Sequence, residues 1–146
     1  MIILDTNVVS ELMRPKPDEK VLAWLDHQAR TSVWTTSVTV FEIRFGLQVM
    51  PGGNRRVVYM QAFEELLTRI NDRIAPFDTE AAHDASALMS TRKQQGRPRE
   101  MRDTMIAGIV VSRHATLATR NTKDFDDISA TLVDPWNASA VEPRRR

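Results

Sequence analysis

Ile2-Ile3-Leu4-Asp5-Thr6-Asn7 is the stretch that decides how the chain is read. Three consecutive apolar residues read as a short buried strand. The run stops at an acid, and Asp5, Thr6 and Asn7 all offer side chains that cap a helix. Val8-Val9-Ser10-Glu11-Leu12-Met13 continues as that helix until Arg14-Pro15-Lys16-Pro17 breaks it, because proline disfavours helix in the residue before it. A strand handing over directly to a helix is the opening of an α/β fold.

The rest of the chain repeats the alternation. Asp18 to Arg30 reads as helix, with Val21, Leu22, Trp24 and Leu25 on one side, and Ser32 to Thr36 as strand. Thr39 to Met50 and Asn54 to Ile70 read as two helices joined at Pro51-Gly52-Gly53, which makes a helical hairpin. Ile74 to Phe77 reads as a brief edge strand because of Pro76. Thr79 to Gln95 and Met101 to His114 read as helices flanking the Gly96–Arg99 loop, and Ala115–Thr119 and Ala130–Asp134 as the last strands. Such an order favours a mostly parallel sheet covered on both faces. One domain over residues 1–137 is expected, followed by a basic tail at 138–146 that ends in Arg144-Arg145-Arg146.

Bulk properties exclude several classes. The 146 residues carry a formal net charge of +1, so nucleic-acid binding would need a local basic cluster. Cysteine is absent, which removes disulfides and thiolate metal sites and fits a reducing cytoplasm. No apolar run approaches the roughly 20 residues of a membrane span. His27, His83 and His114 fall in separate helices without ligand spacing. No phosphate-binding glycine loop is present; Pro51-Gly52-Gly53 reads as a turn.

The acids are the candidates for chemistry. Asp5 stands at the carboxyl end of the first strand, where open α/β sheets bind ligands, although a helix N-cap would use the same residue. Glu42 shares a helix face with Phe45, Gly46 and Val49; it either joins a site or reaches solvent and pairs with an arginine. Asp103 shares a face with Ile106, Ala107 and Val110, and the helix dipole alone would favour an acid there. Asn121 follows another strand end, with Asp124 the nearest carboxylate, while Asp126 and Asp127 read as solvated loop acids. Carboxylates converging at one point repel unless a hard divalent cation is shared, and an all-oxygen donor set suits Mg²⁺ or Mn²⁺. Arg92, Lys93, Arg97, Arg99 and Arg102 form the best basic cluster, with Arg120 and Lys123 flanking the last patch. Arg99, Arg102, Arg120 and Lys123 are the candidates for phosphate contacts; Arg92 and Lys93 read as a solvated helix face.

Ile-Ile-Leu-Asp-Thr-Asn, Val-Phe-Glu-Ile-Arg-Phe-Gly, Arg-Asp-Thr-Met-Ile-Ala and Leu-Ala-Thr-Arg-Asn-Thr-Lys-Asp-Phe, in this order, resemble the PIN-domain ribonucleases. The resemblance is to their VapC/FitB-like toxin branch and extends through Val133-Asp134-Pro135-Trp136-Asn137. It implies a three-layer α/β/α domain that cuts RNA with Mg²⁺ or Mn²⁺ as the toxin of a type II toxin–antitoxin module. It places the family's acids on Asp5, Glu42 and Asp103 and its fourth acidic position on Asn121, with Asp124 able to supply the missing charge. Thr6 and Thr119 match hydroxyls lining the site, and Asn7 is expected to support the loop after the first strand. It also implies a small VapB- or FitA-like antitoxin and a toxin homodimer, for which the hairpin's Phe41, Phe45, Val49 and Tyr59 are candidate contacts. The competing readings are a PIN-like module whose catalysis is weakened by Asn121, binding RNA or antitoxin without efficient turnover, and an α/β phosphatase, which Asp5-Thr6-Asn7 does not suit.

Overall fold

The computed structural model describes residues 1–138, so the Arg144–Arg146 run, and the basic tail beyond its first residue, lie outside the described residues. Five strands form one sheet: β1 (Ile2–Leu4), β2 (Val33–Thr36), β3 (Ile74–Ala75), β4 (Thr116–Ala118) and β5 (Leu132–Val133). Their order is β3-β2-β1-β4-β5 and every pairing is parallel. The chain therefore builds outward from β1 in one direction, then returns and builds outward in the other. The reversal lies between β1 and β4, paired in the register Leu4 opposite Ala118. Crevices of open α/β sheets form at such a reversal, beyond the carboxyl ends of the strands.

Six helices cover the sheet: α1 (Thr6–Leu12), α2 (Glu19–Asp26), α3 (Ser37–Val49), α4 (Asn54–Ile70), α5 (Thr79–Gln94) and α6 (Met101–Ser112). Period-two alternation splits the strand side chains between two cores. Ile3 and Leu117 face a core built with Ala81, Ile106, Ile109 and Val110 of α5 and α6. Leu4 and Ala118 face one built with Val8, Val9, Val21, Ile43, Leu47 and Phe63 of α1 to α4. The result is the expected α/β/α arrangement, with Ile74–Ala75 on an edge. Among the described residues no helix is long and apolar enough to cross a membrane.

The helices start where the sequence offers acceptors. Asp5 caps α1, Asp18 α2, Thr36 α3, Asp78 α5 and Glu100 α6, each side chain accepting a backbone N–H of the first turn. Two packing expectations are corrected. Leu22 is exposed while Val21 is fully buried, because the inward face of α2 is centred on Val21, Trp24 and Leu25. Phe45 and Val49, expected to give Glu42 an apolar setting, are 53% and 64% exposed; the core stripe of α3 is Val38, Ile43 and Leu47.

Candidate carboxylate site

Asp5 leaves β1 where β4 runs beside it, and its backbone N–H donates to the Ala118 carbonyl at 2.9 Å. Its side chain is 3% exposed. Thr119, the first residue after β4, donates its hydroxyl to Asp5 Oδ2 at 2.8 Å, and the Thr6 backbone N–H donates to Oδ1 at 2.8 Å. Asn7 ties the two strand ends together. Its Nδ2 donates to Asp5 Oδ2 at 3.3 Å and to Thr119 Oγ1 at 3.4 Å, and its Oδ1 accepts the Arg120 backbone N–H at 3.2 Å. The N-cap and strand-end readings of Asp5 are both satisfied, because one oxygen caps while the other faces Thr119.

Glu42 arrives from the middle of α3. The Thr6 hydroxyl donates to its Oε1 at 3.1 Å and lies 3.0 Å from the Thr39 hydroxyl; its Oε2 is 3.9 Å from Arg102 Nη1. Asp103 arrives from the first turn of α6, its backbone N–H donating to Glu100 at 3.0 Å. Thr39, fully buried, is a residue that sequence reasoning missed. Its spacing of three from Thr36 was the available signal: the Thr36 hydroxyl accepts the Thr39 N–H at 3.0 Å and closes the first turn of α3.

The acids feel one another. Burial pushes the Asp5 carboxyl above its ordinary range, opposed by the Thr119 and Thr6 hydrogen bonds and reinforced by the charges of Glu42 and Asp124. Burial also raises Glu42, with Thr6 and Arg102 opposing and Asp103 adding to the rise. Asp103 is pushed up to about 6, first by burial, then by the charges of Asp5, Glu100 and Asp124. Asp5, Glu42, Asp103 and Asp124 thus form one repelling constellation at the switch point.

The fourth patch is divided. Asn121 precedes the 3₁₀ turn Thr122–Phe125 without a capping hydrogen bond from its side chain; its backbone N–H donates to Thr119 Oγ1 at 3.1 Å, and it is exposed. Asp124, three residues on, is 3.5 Å from Arg99 Nη1.

The basic cluster is corrected at Arg92. It is 1% exposed, not solvated. It donates to both oxygens of Asp127 at 2.8 Å, to the Thr104 hydroxyl at 3.0 Å and to the Asp124 carbonyl at 3.3 Å. Asp127, exposed as the sequence suggests, is accordingly also a structural partner of Arg92. A buried guanidinium needs such a set of acceptors, and the sequence places them 12 to 35 residues away. Arg99 is engaged too, with the Lys123 carbonyl at 2.7 Å and with Asp124 and Asp126. Arg102 pairs with Glu100 at 2.9 Å. Lys93 and Lys123 are exposed, and Arg120 stacks on Trp136, 4.8 Å from the ring centroid. Trp136 is a core residue, 9% exposed.

Among the described residues no group of three or more acids or histidines is gathered closely enough to form a ready-made metal cage. The donor chemistry nevertheless fits a hard cation. The donors are oxygen only, the carboxylates repel one another, and the histidines stand apart, just after α2, in α5 and just after α6. An ion that keeps most of its own waters and takes one or two carboxylates directly suits this open spacing.

Comparison with known proteins gives a consistent picture. A family model described as "PIN domain" matches residues 2–130. The chain is 39% identical over 137 residues to "VapC ribonuclease Y4jK" of Sinorhizobium fredii, covering 93% of this chain and 98% of that protein. It is 35% identical over 138 residues to "Toxin FitB" of Neisseria gonorrhoeae, covering 94% and 99%. A solved structure described as FitAB bound to the IR36 DNA fragment superposes with a TM-score of 0.85 at 33% identity, covering 99% of this chain and all of that one.

Proposed function

This chain belongs to the PIN-domain family, and from that premise we propose that it is the ribonuclease toxin of a VapBC- or FitAB-type toxin–antitoxin pair, hydrolysing RNA phosphodiesters with a divalent metal ion. The supporting observation is the convergence of Asp5, Glu42 and Asp103, from β1, α3 and α6, on the β1–β4 switch point, each carboxyl raised by burial and by its neighbours' charge. Ribonuclease and toxin are the names of its relatives, and no other cluster among the described residues competes for that chemistry.

Asp5 and Asp103 would hold Mg²⁺ or Mn²⁺, with Glu42 reaching it directly or through solvent. When bound, the ion supplies charge neutralisation at the phosphodiester and activates a water for attack on phosphorus. Thr119 and Asn7 fix the Asp5 rotamer, and Thr6 fixes that of Glu42. Arg102 and Arg120, beside the acids, would position phosphates. Asp124 adds charge that reaches both Asp5 and Asp103. The partner would be a small antitoxin of the kind named in the FitAB structure. Phe41 and Phe45, stacked at 6.5 Å and exposed with Val49, would serve the contact between two toxin copies.

A second reading, a PIN-like module that binds without efficient turnover, draws on Asn121, an exposed amide where the resemblance expects an acid. Single-turnover cleavage of end-labelled RNA separates the two. With Mg²⁺ the wild-type chain should cut, and EDTA or Asp5→Asn should slow it on the order of 100-fold or more. Equal rates for wild type and Asp5→Asn would sink the metal-nuclease reading.

A further inference from the structure

We infer that Thr39 is a positioning residue for Glu42, acting through Thr6 by a chain of hydroxyls that all donate toward the carboxylate. The inference rests on the nuclease reading and adds to it the part that orients one of the three acids. Glu42 projects from the middle of α3. The Thr6 hydroxyl supplies the one hydrogen bond that its carboxylate receives among the described residues, at 3.1 Å to Oε1. Arg102 stands farther off, 3.9 Å from Oε2, and is engaged by Glu100 at 2.9 Å. Whatever fixes the Thr6 hydroxyl therefore fixes Glu42.

A threonine hydroxyl has one proton to give and two lone pairs to receive. A backbone N–H can only donate and a carboxylate can only accept, so the two ends of the chain set its direction. At one end the Thr39 N–H donates to Thr36 Oγ1 at 3.0 Å, and the Thr36 hydroxyl donates to Thr39 Oγ1 at 3.3 Å. At the other end the Thr6 proton is given to Glu42, so across the 3.0 Å contact between Thr6 and Thr39 the donor is Thr39. The opposite order would turn a Thr6 lone pair on the carboxylate. It would also leave the proton of Thr36, a fully buried residue, without an acceptor among the described residues. Hydrogen bonds aligned head to tail polarise one another, so the chain strengthens its last donor, Thr6.

Other threonines of this chain show the alternative that Thr39 does not take. A hydroxyl within a helix can bond back to the carbonyl four residues earlier. Thr68 of α4 does so, donating to the Glu64 carbonyl at 2.9 Å, and Thr104 of α6 donates to the Glu100 carbonyl at 3.1 Å. Thr39 is as buried as Thr104, yet its hydroxyl reaches across to Thr6 of α1, 33 residues away. Thr6 follows Asp5, so this contact ties the helix that carries one acid to the neighbour of another.

The test compares the full chain with Thr39→Val, which keeps the shape and removes the hydroxyl, and Thr39→Ser, which keeps the hydroxyl and removes the methyl. Mn²⁺ affinity is read without RNA, from the electron paramagnetic resonance signal of the free ion. Thr39→Val should weaken Mn²⁺ roughly tenfold, and Thr39→Ser should retain most of the affinity. Added to Thr6→Val, Thr39→Val should cause no further loss, because its route to Glu42 is already cut. Crystal structures of the metal-free chains read the positioning itself: Glu42 should keep one rotamer in wild type and in Thr39→Ser, and leave it in Thr39→Val. Wild-type affinity in Thr39→Val would overturn the inference, as would an equal loss in Thr39→Ser. So would a further loss on the Thr6→Val background, or a Glu42 that stays in place in Thr39→Val. Cleavage is scored separately. A wild-type chain that never cuts RNA, or binds no Mn²⁺, defeats the nuclease reading, and the Glu42 rotamer then decides the role of Thr39. Normal cutting by a Thr39→Val chain with unaltered affinity and rotamer keeps the nuclease and removes the positioning role.

Discussion

Asp103 shows what a carboxylate costs at this site. Its folded pKa is raised to about 6 from an ordinary 3.8. Between those values the native state binds the proton and the unfolded chain releases it, so stability falls as pH rises through that window and stays lower above it. Solvent screens a half-buried group, so the penalty at pH 8 is on the order of 1 kcal/mol and not the full shift. Asp103→Asn should therefore raise the Tm of metal-free protein at pH 8 and leave it unchanged at pH 3, where both states of the wild type hold the proton. Mg²⁺ should raise the Tm of the wild type and have little effect on Asp103→Asn. A variant that is less stable than wild type in EDTA at pH 8 would contradict this account of the constellation. Asp5 differs because Thr119 and Thr6 satisfy its oxygens, so hydrogen bonding offsets part of the cost of its burial.

At the scale of elements, α5 and α6 decide where Asp103 and Asp124 sit. Their contact is close because Gly108 lets α6 approach the backbone of α5: a Cβ at 108 would lie 2.4 Å from the Ala81 carbonyl oxygen and 2.7 Å from Ala85 Cβ. Gly108→Ala, which in open space would strengthen a helix, should here destabilise by about 2 kcal/mol or more, because backbone atoms must move apart. A denaturant midpoint at or above that of wild type would refute the close packing. Arg92 then ties α5 to Thr104 of α6 and to the turn carrying Asp124 and Asp127. Arg92 is the buried member of the pair and Asp127 the exposed one, so it is Asp127→Leu that leaves a buried charge unmatched and should cost roughly 3–5 kcal/mol. Arg92→Met combined with Asp127→Leu should recover part of that loss, a coupling measurable as a double-mutant cycle. Strict additivity of the two changes would show that the pair is not an energetic unit.

The whole molecule explains which features could be read from the chain and which could not. Asp5 was legible because an apolar run ending in an acid specifies both a strand and its carboxyl end. The hairpin and most of the helix starts were legible from local turn and capping chemistry. Arg92 was not, because a basic residue in a polar helix signals solvent, and its acceptors come from α6 and from a turn 35 residues away. The apolar face of Glu42's helix was misassigned for a related reason. Periodicity identifies an apolar stripe but not whether the sheet or another molecule covers it, and α3 carries both kinds. Val38, Ile43 and Leu47 are buried in this chain; Phe41, Phe45 and Val49 are not. Three large exposed side chains on one helix, two of them stacked, form a patch of the type that marks an interface. The proposed homodimer would place a second copy there. Light scattering of the wild type across micromolar concentrations should then give twice the monomer mass, and Phe45→Glu should return it to the monomer value. The substitution should leave Tm of the dilute protein nearly unchanged, because residue 45 touches neither core. A wild-type mass equal to the monomer at every concentration would remove the dimer, and a Phe45→Glu chain that remains dimeric would place its interface elsewhere.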